Sequence, residues 1–169
     1  MKKKILITGA FGQLGNAVLK RFQDVEILAT DIFIPPLSSG SFSMEILDVT
    51  KPEDVVKVLK RFQPDVVLNL AAMTNVDGCE ANPEVAEKIN SGGVRNFLEV
   101  FGGMFIQISS DYVFNGKAGP YDEEDIPDPI NVYGRTKLDS DKFVMQYQNS
   151  WCIVRTNVVF DYSKHSDAS

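Results

Sequence analysis

The feature that most restricts this chain is an alternation. Short runs rich in Val, Ile and Leu are separated by stretches whose apolar residues recur every three or four positions. Strands separated by helices cannot pair through hairpins; they lie parallel, and the helices cross over the sheet faces. Strand candidates fall at 4–8, 26–31, 44–47, 65–70, 104–109 and 151–156. Val66, Val67 and Leu68 form a continuous apolar run, as expected for a strand covered on both faces. Among the helices, Leu14, Val18 and Phe22 repeat every four residues, and Val55, Val58, Leu59 and Phe62 mark another behind the capping-box pattern Thr50-x-x-Glu53. Asn82-Pro83-Glu84 reads as a helix start, followed by an apolar face of Val85, Ile89, Val94, Phe97, Leu98 and Phe101. A last long helix is expected over about 130–148. Pro35-Pro36 and Ser38-Ser39-Gly40-Ser41 predict a loop over 33–43 where another helix could have been.

Composition narrows the class. The chain has 169 residues, 44% hydrophobic and 24% charged, which suits one globular domain rather than a disordered or low-complexity segment. Its 17 basic and 23 acidic residues give a net charge of −6, so nucleic acid and anionic membrane surfaces are not expected partners. No apolar run approaches the roughly 20 residues that span a bilayer. Lys2-Lys3-Lys4 does not open a secretory leader, because Thr8, Gly9, Gly12 and Gln13 interrupt the apolar stretch that follows. Cys79 and Cys152 form no C-x-x-C pair, and with His165 as the one histidine a Cys/His metal site has too few ligands; no metal is expected. A reduced, cytoplasmic protein is the expected setting. The domain is expected over 1–160, with 161–169 a polar tail or the start of a further segment.

Thr8-Gly9-Ala10-Phe11-Gly12-Gln13-Leu14-Gly15 follows the first strand and opens the first helix. Glycines there allow a tight turn and close approach of backbone to a pyrophosphate, and the helix start offers N–H groups to the phosphates. Spaced glycines alone also occur in purely structural turns; strand, turn and helix in this order, with an acid ending the second strand, point to a dinucleotide. The fold class is therefore α/β: a Rossmann-type, doubly wound, mostly parallel sheet with helices on both faces. Asp31, 22 positions after Gly9, has the spacing of an acid that accepts hydrogen bonds from the adenosine ribose, and it would repel a 2′-phosphate. No Arg or Lys lies between Asp31 and Lys51, so NAD is favoured over NADP. Asp31 also suits a turn or helix cap, and Asp48 either touches the adenine or is a turn residue.

Tyr133 and Lys137 stand at i and i+4, on one helix face. A cation beside a phenol favours the phenolate, so the Tyr133 pKa is expected to fall toward working pH and the phenol to serve as proton donor to a ketone oxygen. Lys137 can also hydrogen-bond a nicotinamide ribose. Ser109-Ser110 ends the fifth strand, at the sheet edge where ligands sit, and a hydroxyl there can polarise a carbonyl. An exposed helix pair is the plain alternative for the Tyr-x-x-x-Lys spacing. Asp122-Glu123-Glu124-Asp125 has the carboxylate density of a metal site, but between Pro120 and Pro127 it reads as a solvated turn. Cys79 is expected in a loop, Cys152 in a buried strand, and Trp151 in the core.

With these elements the sequence resembles the extended short-chain dehydrogenase/reductase superfamily. Within it, 64–77 (PDVVLNLAAMTNVD), 109–116 (SSDYVFNG) and 129–138 (PINVYGRTKL) resemble the dTDP-4-dehydrorhamnose reductase family over nearly the whole chain. The resemblance implies Ser110, Tyr133 and Lys137 as the catalytic trio. Gly9, Phe11, Gly12, Gln13, Leu14, Gly15, Asp31, Asp48, Val49, Ala71, Ala72, Met73 and Thr74, with Tyr133 and Lys137, fall on cofactor-contacting positions. Ser110, Asp111 and Tyr133 would touch substrate. The implied reaction is reduction of the 4-keto group of a nucleotide-linked deoxy sugar with NADH or NADPH, in deoxy-sugar synthesis for cell-surface polysaccharide. The implied partner is the nucleotide sugar, and a homodimer is compatible.

Three departures from the family pattern stand out. Family members continue into a C-terminal segment that completes the sugar pocket, whereas this chain stops at Ser169. Val158 stands where many relatives have a substrate-contacting tryptophan, and Ala17 where some hold a dimer metal with a glutamate. A regulatory dinucleotide-binding protein, like the methionine adenosyltransferase β subunit of the same branch, is the rival reading. A sugar-nucleotide epimerase or dehydratase, retaining its cofactor without net consumption, is another.

Overall fold

The structure, a computed structural model, describes residues 2–36 and 41–159. The polar tail expected at 161–169, with His165, and most of the serine-glycine run at 38–41 lie outside the described residues. Six strands form one sheet: β1 (Lys4–Thr8), β2 (Glu26–Asp31), β3 (Ser43–Ile46), β4 (Val66–Asn69), β5 (Met104–Ser110) and β6 (Trp151–Thr156). Their order is β3-β2-β1-β4-β5-β6, and every neighbouring pair is parallel. The order reverses between β1 and β4, so the connections leaving those two strands diverge and open a crevice at their carboxyl ends.

Between the strands lie α1 (Gln13–Leu19), α2 (Pro52–Phe62), α3 (Val76–Ala81), α4 (Pro83–Glu87), α5 (Gly93–Leu98) and α6 (Val132–Met145). A π-helical stretch, Lys88–Gly92, joins α4 to α5, and a 3-10 turn, Asp111–Val113, follows β5. Successive strand residues point to opposite faces. Leu6, Leu28, Val67 and Phe105 therefore pack with Val55, Val58 and Leu59 of α2, Val94 and Phe97 of α5, and Val144 of α6. On the other face Ile5, Ile7, Ile27, Ala29, Val66 and Leu68 pack with Val18 and Leu19 of α1. Two apolar layers around one parallel sheet bear out the expected Rossmann-type class.

Several local expectations are corrected. α1 ends at Leu19 because the chain must turn before β2, with Asp24 in the left-handed region at φ 59°; Phe22 falls beyond the helix and is 40% exposed. The capping box does not form. Pro52 occupies the first turn of α2 behind Lys51, and the Thr50 hydroxyl donates instead to Asp48 Oδ1 at 2.7 Å. Asn82 precedes α4, yet its side chain donates to the Gly78 carbonyl. The expected 130–148 helix is trimmed to 132–145, with Asn131 Oδ1 accepting from Gly134 N at 2.7 Å as its cap. Trp151 is not core: β6 is the edge strand, and the indole is 42% exposed there. Cys79 is not in a loop; it is buried in α3, its Sγ 3.4 Å from the Met73 carbonyl oxygen, while Cys152 is half-buried in β6.

Phe97 is fully buried and meets Phe105 at a ring-centroid distance of 6.1 Å, bridging helix layer and sheet. Phe97→Ala is expected to lower the unfolding free energy by about 3–5 kcal/mol, read as a lower urea midpoint at unchanged slope.

Candidate functional site

The carboxyl ends of the strands border a cleft of about 960 Å³. Its floor is the glycine turn. Gly9 has φ 59°, and a Cβ there would stand 2.7 Å from the backbone nitrogen of Ala71, so the turn is pressed against the chain leaving β4. Gly12, Gln13, Leu14 and Gly15 line the cleft, and Gly12 precedes α1 in extended conformation without a side-chain cap. A row of buried hydrogen bonds supports this floor. Thr8 Oγ1 donates to Asn69 Oδ1 at 2.5 Å and accepts from the amides of Leu70 and Ala71, and Asn69 Nδ2 donates to Gln107 Oε1 at 2.8 Å.

Asp31 lines one end of the cleft, with Oδ2 accepting from Phe11 N at 3.1 Å and Oδ1 from Ile32 N at 2.8 Å. Two backbone donors thus aim the carboxylate while leaving it lone pairs for a ligand. Asp48 and Val49 stand beside it. Burial alone would raise the Asp48 pKa, but hydrogen bonds from the Thr50 hydroxyl and amide and the charges of Lys51 and Lys88 outweigh it and hold the carboxyl below its ordinary value. Ala71, Ala72, Met73 and Thr74 form the opposite lip. Phe11 alone of the residues singled out for the cofactor does not line the cleft: its ring packs on the α1 side of the sheet and its amide orients Asp31.

Ser110, Asp111, Tyr133 and Lys137 meet on the remaining wall. Ser110 Oγ donates to Asp111 Oδ1 at 3.1 Å and accepts from Tyr112 N at 3.2 Å, and the hydroxyl stands beside the Tyr133 phenol. What brings a helix to this strand end is Gly134: a Cβ there would lie 2.2 Å from the Tyr112 carbonyl oxygen. Glu80 Oε1 accepts from Val132 N at 2.6 Å and ties the same helix end to α3. Tyr112 meets Tyr133 edge-on, centroids 5.6 Å apart.

The expected lowering of the Tyr133 pKa is corrected. Burial pushes it above the ordinary value, the Ser110 hydrogen bond opposes this, and nearby Cys79, Asp111 and Tyr112 add to the rise. Lys137 does not offset it, because its Nζ donates to the Ile108 carbonyl oxygen at 2.6 Å. Lys137 is itself only 3% exposed, and burial pushes it down to about 8 against the pull of Asp141. The phenol therefore keeps its proton at neutral pH, the form that can protonate a carbonyl oxygen.

Sequence reasoning missed Asn90. Its Oδ1 accepts from Met73 N at 2.7 Å, and its Nδ2 donates to Met73 O at 3.1 Å and Thr136 Oγ1 at 2.9 Å, so one buried amide clamps the lip to α6. The π-helical stretch buries Asn90 and Ser91, and Val85 of α4, expected on the apolar helix face, is 48% exposed on the cleft with Ile89 and Lys88. Two adjacent polar residues interrupting an apolar helix face were the available signal. The acidic loop is exposed, and Asp122 N donates to Asp125 Oδ2 at 2.8 Å, as a self-bracing turn would. Val158 lines the cleft mouth, and Ala17 is exposed on α1. Among the described residues no helix is long and apolar enough to cross a membrane.

Fold and cleft together define a Rossmann-type protein of the short-chain dehydrogenase/reductase kind. Over residues 2–168 the chain matches the model of the RmlD substrate binding domain family, and it belongs to that family. It is 37% identical over 161 residues to methionine adenosyltransferase 2 subunit beta of Rattus norvegicus, covering 94% of this chain and 47% of that protein. It is 35% identical over 158 residues to the probable low-salt glycan biosynthesis reductase Agl14 of Haloferax volcanii, covering 91% and 53%. The crystal structure of dTDP-4-dehydrorhamnose reductase from Bacillus anthracis in complex with NADP superposes with a TM-score of 0.84 at 33% identity, covering 95% of this chain and 55% of that one. The chain thus spans about half the length of these relatives.

Asn90→Ala removes both clamps on Met73. The expected outcome is a loss of about 2 kcal/mol in stability, with faster hydrogen exchange at the Met73 amide than at the β4 amides.

Proposed function

We propose that this chain is the dinucleotide-binding half of an NAD(P)H-dependent reductase acting on the 4-keto group of a nucleotide-linked deoxy sugar. The observation that carries this reading is that Ser110, Tyr133 and Lys137, from a strand end and a helix separated in sequence, share one cleft with the glycine turn and Asp31. The residues fit a dinucleotide. The turn presents backbone without Cβ atoms where a pyrophosphate would lie, and a tethered carboxylate waits at the ribose end. NADH is favoured over NADPH because that carboxylate would repel a 2′-phosphate.

When bound, the reduced nicotinamide supplies hydride to carbon. Ser110 then polarises the substrate carbonyl, and the neutral Tyr133 phenol passes its proton to the oxygen as charge develops there. Lys137, on the same cleft wall, rests its ammonium on the Ile108 carbonyl and offers its remaining charge-assisted donors to the nicotinamide ribose. Asp111, beside Ser110, faces the substrate side. The domain division is proposed as read from the sequence: a cofactor domain over 1–160, with 161–169 a polar tail or the start of a further segment.

A second reading, a binding protein without turnover, is favoured by the likeness to methionine adenosyltransferase 2 subunit beta. The test is a fluorescence titration of the chain with NADH and with NADPH, followed by ketone-dependent NADH oxidation in this chain and in a form extended to the length of its relatives. Tight NADH binding with turnover supports the reductase; binding with no turnover on any keto sugar supports the second reading. Tyr133→Phe is expected to cut turnover at least about 100-fold while leaving NADH binding within a few fold. Reduction requires Lys137 charged, so its rate is expected to hold below pH 8 and fall as pH rises through about 8.

A further inference from the structure

Beneath the cleft wall lies a charged group that the reaction does not use directly. Asp141 follows Lys137 by one helical turn on α6 and is completely buried. Its Oδ2 accepts from Ser109 Oγ of β5 at 2.8 Å and pairs with Arg155 Nε of β6 at 3.5 Å. Its Oδ1 is buried without a hydrogen-bond partner. Arg155 is in turn held over the Phe114 ring, 5.4 Å from its centroid.

An ionised carboxylate with one oxygen unsatisfied is a poor device for stability, because desolvation penalises the charge and a neutral amide could satisfy the same hydroxyl. Burial pushes the Asp141 carboxyl above its ordinary value, while the Ser109 hydrogen bond and the Lys137 and Arg155 charges oppose the rise; the position thus sets a carboxylate one turn along the helix from an ammonium that is itself almost out of water. Lys137 Nζ meets the Ile108 carbonyl of β5, and the charge of Asp141, one turn along the same helix, reaches it; Asp141 is in turn faced by Ser109 and Arg155 of β5 and β6, and Tyr133, Asp111 and Tyr112 share the cleft wall with Lys137. Asp141 supplies the charge that favours the ammonium form of Lys137, alongside the Ile108 carbonyl that accepts from Nζ.

We propose that Asp141 is a positioning residue, the countercharge that keeps Lys137 an ammonium and locks α6 to the ends of β5 and β6 so that Tyr133 and Lys137 stay in register with Ser110. The functional half of this proposal rests on the reductase reading; the charge coupling stands without it. Burial already holds Lys137 down to about 8, so removing Asp141 carries the lysine toward a neutral amine at physiological pH.

The experiment follows the Lys137 ammonium directly by NMR in protein labelled with [ε-13C]lysine, the signal being assigned by its loss in Lys137→Arg. Asp141→Asn keeps the shape and a partner for Ser109 but removes the charge. The Lys137 midpoint is expected to fall by one unit or more in Asp141→Asn and to return toward its original value in Asp141→Glu. An unchanged midpoint in Asp141→Asn overturns the proposal, as does a wild-type Lys137 that is already neutral at pH 7, a result that needs no variant to fold. In parallel, the pH above which NADH affinity declines should move acidward in Asp141→Asn, which a merely structural role would not cause. Absence of NADH binding to the wild-type chain would overturn the reductase reading and leave the NMR result to decide the coupling.

Discussion

A line of buried hydrogen bonds crosses the sheet at the carboxyl ends of its central strands, and the cleft depends on it. Thr8, Asn69 and Gln107 are register partners on β1, β4 and β5, so parallel pairing stacks their side chains side by side. Gln107 Nε2 reaches the Ile108 carbonyl, the same oxygen that accepts from Lys137 Nζ. The glycine turn after β1 and the lysine on α6 are thereby referred to one rigid row. In an apolar interior each of these groups would be costly alone, and the row persists because its members satisfy one another.

Close backbone approach is the second constraint. The glycine turn presses on Ala71, and α6 presses on the turn after β5 through Gly134. The first contact lies at the strand-order reversal and the second one strand away, after β5, and together they bound the cleft on two sides. Asn90 sets the third side by holding Met73. The wall residues therefore sit on elements fixed by packing rather than on free loops, the arrangement that placing a hydroxyl, a phenol and an ammonium together demands.

Much of this was legible in the residues. The alternating pattern predicts the parallel sheet, and the strand, turn and helix order around Gly9 to Gly15 predicts the crevice. Serine at a strand end with Tyr-x-x-x-Lys predicts the trio on one wall. Other features were hidden because they are relations between distant segments. The π-helical stretch that turns Asn90 inward has no local signature beyond two polar residues, and no local pattern shows that Phe11, within the glycine turn, packs its ring on the opposite side of the sheet from α6.

Sequence alone determined the class of fold, the place of the glycine turn and the chemical types gathered for the site, since periodicity, glycine spacing and helix faces are local properties. Tertiary structure decided the protonation states and the supports. Whether a cation lowers the tyrosine or burial raises it depends on where Lys137 Nζ points, and it points at the Ile108 carbonyl. Whether Asp141 is a surface acid or a dry countercharge depends on β5 and β6 closing over it. Desolvation acts in three dimensions, and no spacing along the chain encodes it.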